Sequence, residues 1–258
     1  MRVIVPIKQV RDPRGVKVDP RRQQVTLEEA ELVINPVDRN ALEEALTLKD
    51  RLGARVTVIS IGGPQVEDSI REAWACGADE GILLSDELLA KVDFRGAALA
   101  LAKAIQKIGD FDLIITGAMA ADTGQGQLGP RLAAALDLPC VNEVLRILEV
   151  SEGKARVIRA WDDQCLEVEV ELPAVLCIAP GTNIPRLPHG ARIMNSYQWE
   201  LPVWKASDLG LSEEDLKPGV EERGLSFPPE RVRGRVSRGT PEDLARELVS
   251  FLKERHLI

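Results

Sequence analysis

The chain has 258 residues, room for one large α/β domain or two small ones, and its 45% hydrophobic and 29% charged residues exclude a disordered protein. Aromatics are only 3%, so Val, Ile, Leu and Ala must build the core, which suits a buried parallel sheet under Ala/Leu-rich helices better than a β-sandwich. Thirty-three Lys and Arg against 41 Asp and Glu leave a formal charge of -8, which excludes an overall field toward nucleic acid or anionic lipid. No run approaches the ~18 apolar residues of a membrane span, so membrane insertion is not expected.

Val3-Ile4-Val5-Pro6-Ile7 is a β-branched run suited to a central parallel strand. It lacks the cleavage region of a leader, and a cytoplasmic protein is the expectation. Residues 8–20 read as an irregular loop. Asn35-Pro36-Val37-Asp38 then supplies caps for a helix starting near Asp38, with Ala41, Leu42, Ala45 and Leu46 at helical spacing. Gly53 ends that helix, residues 55–61 form the next strand and Gly62-Gly63-Pro64 closes it. The alternation continues with a helix over 66–76, a strand over 81–85, a helix over 97–108, a strand over 113–116 and a helix over 130–138. Right-handed crossovers make the natural assembly a doubly wound, mainly parallel sheet.

The texture changes after Pro139. Residues 145–150 and 155–160 read as a hairpin around Ser151-Glu152-Gly153, and 166–172 alternates as a half-exposed antiparallel strand does. Another apolar run covers 173–178. No core pattern is visible from Leu201 to Thr240, and a last helix over 241–257 has Thr240 as its N-cap. The expected organisation is an α/β nucleotide-binding domain over 1–200, with an antiparallel extension, and a C-terminal arm over 201–258 that packs on another chain.

The densest candidate for chemistry is the run from Gly117 through Ala118, Met119, Ala120, Ala121, Asp122, Thr123, Gly124, Gln125, Gly126, Gln127, Leu128 and Gly129 to Pro130. Gly124, Gly126 and Gly129 spell GxGxxG, but in the fourth strand–helix connection, whereas the dinucleotide fingerprint belongs after the first strand. A plain glycine-rich connection and some other nucleotide-phosphate cradle both remain open. Three further segments share the carboxyl edge of the sheet: Lys8-Gln9-Val10, Asn35 to Asp38, and Ile61-Gly62-Gly63-Pro64. Taken singly these are caps and turns; together they outline a nucleotide-sized site.

Catalytic groups are scarce. His189 and His256 are far apart and outside any triad-like pattern, and Glu167, Glu169 and Glu171 fall on the solvated face of a strand, as expected also for Asp162-Asp163. The four cysteines, Cys76, Cys140, Cys165 and Cys177, form no CxxC pair, so buried thiols are expected and not a zinc site or disulfide framework. A nucleotide-binding chain without nucleophile or base reads as a carrier, regulator or subunit. A stand-alone ATP-binding sensor or enzyme, and a purely structural subunit, are the competing classes.

Several segments are recognisable in their order and spacing. They are Ile7-Lys8-Gln9-Val10-Arg11-Asp12, Asn35-Pro36-Val37-Asp38 with Ala41 to Leu46, and Ile70-Arg71-Glu72-Ala73 with Gly77-Ala78-Asp79. Asp112-Leu113-Ile114, Gly117, Asp122, Gln127-Leu128-Gly129-Pro130, Leu172-Pro173-Ala174-Val175 and Asn183-Ile184-Pro185-Arg186 with Ile193-Met194 follow. Over almost its whole length the chain resembles the electron-transfer flavoprotein β-subunit family.

The resemblance implies an adenine-nucleotide-type sheet paired with a larger α subunit as a heterodimer. The two together would carry FAD between dehydrogenases and an electron acceptor. Ordinary members hold AMP in the β pocket, and electron-bifurcating members hold a second FAD there that accepts electrons from NADH. Carried over by position, Pro6 and Lys8 lie near the adenine, and Asn35, Pro36, Val37, Asp38 and Ile61 lie around the adenosine. Gly117, Ala120, Asp122, Thr123, Gly124, Gln125, Gly126 and Gln127 surround the phosphate.

Three positions depart from the family. Gly124 replaces a common second Asp, Gly190 stands where many members carry a dehydrogenase-anchoring Leu, and Pro13 stands where several carry a flavin-facing aromatic. Asn35 to Asp38 and Ser85-Asp86 look like bifurcating members, whereas Asp93-Phe94 replaces their Asp-Thr pair. An electron-transfer subunit with an adenine nucleotide is the expectation, with bifurcation as the alternative.

Overall fold

In the computed structural model, which describes residues 1–19, 21–151, 153–220, 227, 234 and 236–258, the expected alternation is present. Strands β1 (Arg2–Pro6), β2 (Gln9–Arg11), β3 (Lys17–Asp19), β4 (Gln24–Thr26) and β5 (Leu32–Ile34) precede helix α1 (Pro36–Leu52). Next come β6 (Arg55–Ile61), α2 (Glu67–Cys76), β7 (Glu80–Leu84), α3 (Phe94–Ile108), β8 (Leu113–Gly117) and α4 (Leu128–Leu136). The chain continues through β9 (Cys140–Ser151), β10 (Lys154–Trp161), β11 (Gln164–Glu171), β12 (Ala174–Ile178), α5 (Gly190–Ser196), β13 (Val203–Trp204), α6 (Glu213–Leu216) and α7 (Pro241–Glu254).

One nine-stranded sheet runs in the order β11-β10-β9-β12-β8-β1-β6-β7-β13. From β9 to β13 every neighbouring pair is parallel, and β10 and β11 extend the edge in antiparallel fashion, with Val157 opposite both Ile147 and Val168. This is the doubly wound architecture with its antiparallel extension. Alternation along β1 feeds two cores: Val3 and Val5 pack with Ala41, Leu42, Leu46 and Ile70 of α1 and α2, and Ile4 packs with Leu101, Ile105 and Leu132 of α3 and α4.

Four local readings change. Residues 8–20 are more ordered than a loop, since β2 pairs with β5 and β3 with β4; these strands have three residues each, too few for a period to register, and Pro20 lies outside the described residues. Helix α1 starts at Pro36, where the missing N–H of proline costs nothing. Strand β9 begins at Cys140, and its first residues pair with β12 before the hairpin with β10 begins; Glu152 of that turn lies outside the described residues.

The fourth change concerns the stretch after Leu201. Its residues 203–204 form an edge strand parallel to β7, and Ala206, Leu209, Leu211 and Leu216 are buried in the α3/α4 core. Their apolar residues are spread over short irregular elements, so no periodicity announces them. The stretch from 221 to 235 lies outside the described residues apart from 227 and 234.

The chain divides into two compact units, residues 1–222 and 223–258. In the second, α7 is capped as expected: the Thr240 side chain accepts a hydrogen bond from the Asp243 amide. Leu248, Val249 and Phe251 of α7 are exposed.

Candidate functional site

The chain leaves β1 through α1 to β6 on one side, then returns through α3 to β8 on the other side of β1. The connections diverge above the carboxyl ends of β1 and β8, which is where open α/β sheets bind their ligands. Pro6 is buried at the end of β1, and the exit of the strand is held by Ile7 N donating to Ile59 O at 2.9 Å and by Ser60 Oγ donating to Ile7 O at 2.7 Å.

Lys8 then ties three segments together. Its amide donates to Asp38 Oδ2 at 2.8 Å, its carbonyl accepts from the Asn35 amide at 2.8 Å, and its ammonium reaches Asp122 Oδ2 at 2.5 Å. That ion pair is partly exposed, with side chains 43% and 36% accessible, so it closes the mouth of the crevice and adds little stability.

Asn35, expected as a helix cap, makes no side-chain cap bond. Fully buried, it donates from Nδ2 to Met119 O at 2.9 Å and accepts at Oδ1 from the Ala121 amide at 3.0 Å. Its side chain is therefore the clamp that holds the glycine-rich loop against α1. The Asn-Pro pair was the only sequence signal for this, and it reads equally well as a cap.

Asp38 lies in the first turn of α1, buried beneath the loop. Burial pushes its carboxyl up to about 7, although the Lys8 amide, the Asn35 side chain and the Gly117 amide all favour the ionised form. Gly117 is required here: a Cβ on it would run into Asp38 Oδ1 and the backbone of Val37.

Beyond Gly117 the loop is shaped by left-handed glycines, Gly124 at φ 62° and Gly126 at φ 60°, with the Gly124 amide donating to Ala120 O at 2.7 Å. Asp122, Thr123, Gly124, Gln125 and Gly126 are exposed and Ala120 is half-buried. Gln127 accepts at Oε1 from Arg131 Nε at 2.9 Å and donates to Gln125 Oε1 at 3.3 Å, just before α4 begins. Exposed amides in a left-handed turn, a following helix N-terminus and a lysine at the rim form a donor set suited to a phosphate. Val37 is buried and Pro36 exposed on α1, while Ile61 is half-buried at the end of β6.

Other sequence candidates have local partners. Asp86 accepts from the Leu89 and Ala206 amides, both at 2.7 Å, and Asp93 from the Gly96 and Gly219 amides at 2.9 and 2.8 Å. His189 and His256 are exposed, and Glu167 and Glu169 pair with Arg156 and Lys154 on the outer strands. Among the described residues no group of His, Cys, Asp and Glu is arranged to hold a metal, and no helix is long and apolar enough to cross a membrane. An open cavity of about 450 Å3, lined by Cys76, Arg186, Leu187, His189 and Arg192, lies at the opposite edge of the sheet, where α2 ends. Gly190 is the first residue of α5 beside it.

Residues 24–209 match the family model of the electron transfer flavoprotein domain. This chain belongs to the electron transfer flavoprotein family. It is 36% identical over 269 aligned positions, covering all of both chains, to the electron transfer flavoprotein subunit beta of Thermoanaerobacterium thermosaccharolyticum. It is 35% identical over 268 positions to the subunit of the same name in Clostridium acetobutylicum, again with full coverage of both. Identity reaches 37% over 264 positions, with full coverage of both, to the caffeyl-CoA reductase-Etf complex subunit CarD of Acetobacterium woodii. The electron transfer flavoprotein domain match spans α1, β6 and the whole glycine-rich loop, and it begins after Pro6 and Lys8.

Proposed function

We propose that this chain is the β-type subunit of a heterodimeric electron transfer flavoprotein and that the crevice above β1 and β8 holds an adenine nucleotide. With a larger α subunit it helps carry electrons through FAD between dehydrogenases and an acceptor in the cytoplasm. The supporting observation is the convergence, from three distant segments, of Lys8, Asn35, Asp38, Gly117 and Asp122 on one glycine-rich loop.

In this reading the amides of residues 122–127 other than that of Gly124, together with the Lys8 ammonium, face the phosphate, Asn35 keeps the loop in place, and Pro6, Val37 and Ile61 lie around the adenosine. FAD, when bound, supplies the reversible uptake of electrons, and this subunit contributes position and electrostatics to it. No residue here is required as acid or base, which fits an electron carrier and not a self-contained catalyst. Unit 223–258, with its exposed apolar residues on α7, is the part proposed to pack on the α subunit, and the surface around Ile184, Leu187 and Met194 is proposed to meet dehydrogenases.

A second reading places a second FAD, reduced by NADH, in the same crevice. The likeness to the Acetobacterium woodii subunit favours it. Co-purification with the α subunit, denaturation and chromatography of the released nucleotides separates the two readings. One FAD with one AMP per heterodimer is expected, two FAD without AMP would establish the second reading, and neither nucleotide would refute both. Asp122→Ala with Gln127→Ala should lower the retained nucleotide without unfolding the sheet; unchanged content would remove the loop from the site.

A further inference from the structure

Cys140 and Cys177 place their sulfurs 3.8 Å apart, outside the crevice described above and unused by the proposed function. Cys140 opens β9 and pairs with Val175 of β12; Cys177 lies two residues further on, so both side chains project from the same face of the sheet. The ladder is irregular at this point. Leu176 pairs with Val141 but Ile178 pairs with Val144, so Asn142 and Glu143 together oppose Cys177, and Glu143 takes the left-handed conformation at φ 54°. The bulge leaves Cys177 without a paired partner on the β9 side, while on the other side it stays opposite Thr116 of β8, so the approach from 3.8 Å to the ~2.05 Å of a disulfide falls to the irregular start of β9.

We propose that Cys140 and Cys177 are a redox-active dithiol that a small-molecule disulfide oxidises to a cross-strand disulfide between β9 and β12. The roles follow from exposure and hydrogen bonding. Cys140 is half-buried and reachable; Cys177 is 2% exposed. The two sulfurs share one S–H···S contact, which holds the Cys140 pKa below its ordinary value and, with burial, drives that of Cys177 up. The Cys140 thiolate attacks one sulfur of the reagent, expels its first thiolate and forms a mixed disulfide. The Cys177 sulfur then attacks that of Cys140 and expels the second thiolate. The protein gives up two electrons and two protons, and the reagent leaves as two thiols.

The bond would be felt at α4. A Cβ on Gly129 would meet the Cys177 sulfur, so that sulfur is what the first turn of α4 rests on. Closing the bond draws it toward β9 and away from the helix that follows the glycine-rich loop. The other two thiols lack this arrangement: burial pushes the Cys76 thiol up to about 11, its sulfur lying 3.8 Å from Arg186 O, and Cys165 is exposed on β11.

The test treats the full-length chain, co-purified with its α subunit, with oxidised glutathione, then alkylates free thiols and maps peptides by mass spectrometry without reduction. The expected product is a peptide pair joining Cys140 to Cys177, lighter by about 2 Da and restored by dithiothreitol, with Cys76 and Cys165 of this chain alkylated. In Cys177→Ser, the reaction should stop at a glutathione adduct on Cys140. Four alkylated cysteines in the wild-type chain, a persistent adduct on its Cys140, or a bridge to Cys76 or Cys165 would overturn the proposal. An unmodified Cys140 in the variant would overturn the assignment of the attacking sulfur, and the wild-type map decides the bond even where the variant fails to fold.

Discussion

Replacing Asp38 by Asn tests whether the crevice floor is as dry and tightly packed as the geometry requires. The carboxyl is buried at the start of α1, and desolvation raises its pKa from 3.8 to about 7. Between those values the native chain keeps a proton that the unfolded chain has released, so stability falls as pH rises, by ~1.4 kcal/mol per unit for a single proton. The contribution is full below pH 3.8 and lost once pH has risen through about 7. Asn carries no titrating proton yet keeps one oxygen to accept from the Lys8 amide, so Asp38→Asn abolishes this slope. Urea unfolding of wild type and variant in parallel, from about pH 5 to about pH 8, reads the difference directly. The variant should gain about 2 kcal/mol on the wild type between pH 5 and 7 and level off above pH 7. Parallel stability curves across that range would refute the buried, protonated Asp38.

Three further substitutions probe the frame. Asn35→Ala removes the bonds to Met119 and Ala121, costs about 1–3 kcal/mol and frees the loop, so retained nucleotide should fall severalfold in dialysis while the far-ultraviolet spectrum is unchanged; full retention would deny the clamp. Gly117→Ala forces a methyl against Asp38 and the Val37 backbone, and calorimetry should show a loss of about 1–3 kcal/mol, with an unaltered melting temperature counting against the close approach. Leu216→Ala should cost about 2–5 kcal/mol in denaturant unfolding because Leu216 is 3% exposed in the α3/α4 core; a change within about 0.5 kcal/mol would mean that the stretch after Leu201 is peripheral.

The order of strands and helices from β1 to α4 was legible because each element is long enough to carry its own signal. β-Branched runs, helical spacing and terminal glycines are local properties, and burial on both sides of a parallel sheet amplifies them. The glycine-rich loop was legible for the same reason, since left-handed conformations at Gly124 and Gly126 select glycine residue by residue. So were the β9–β10 hairpin and the alternating strand β11, with its solvated glutamates.

Tertiary structure alone decided which of these features meet. The Asn35–Met119 and Lys8–Asp122 bonds join residues 84 and 114 positions apart, and no periodicity encodes such a separation. Asn35 looked like a cap because an Asn before a Pro satisfies the local rule, and only the packed loop shows that its side chain is used elsewhere. The pairing of β2 with β5, the burial of 206–216 against α3 and the apposition of Cys140 with Cys177 are of the same kind: short or isolated residues that acquire meaning when another segment is folded against them. Local periodicity determines elements, whereas hydrogen bonds and contacts between distant segments form only once the sheet has brought them into one place.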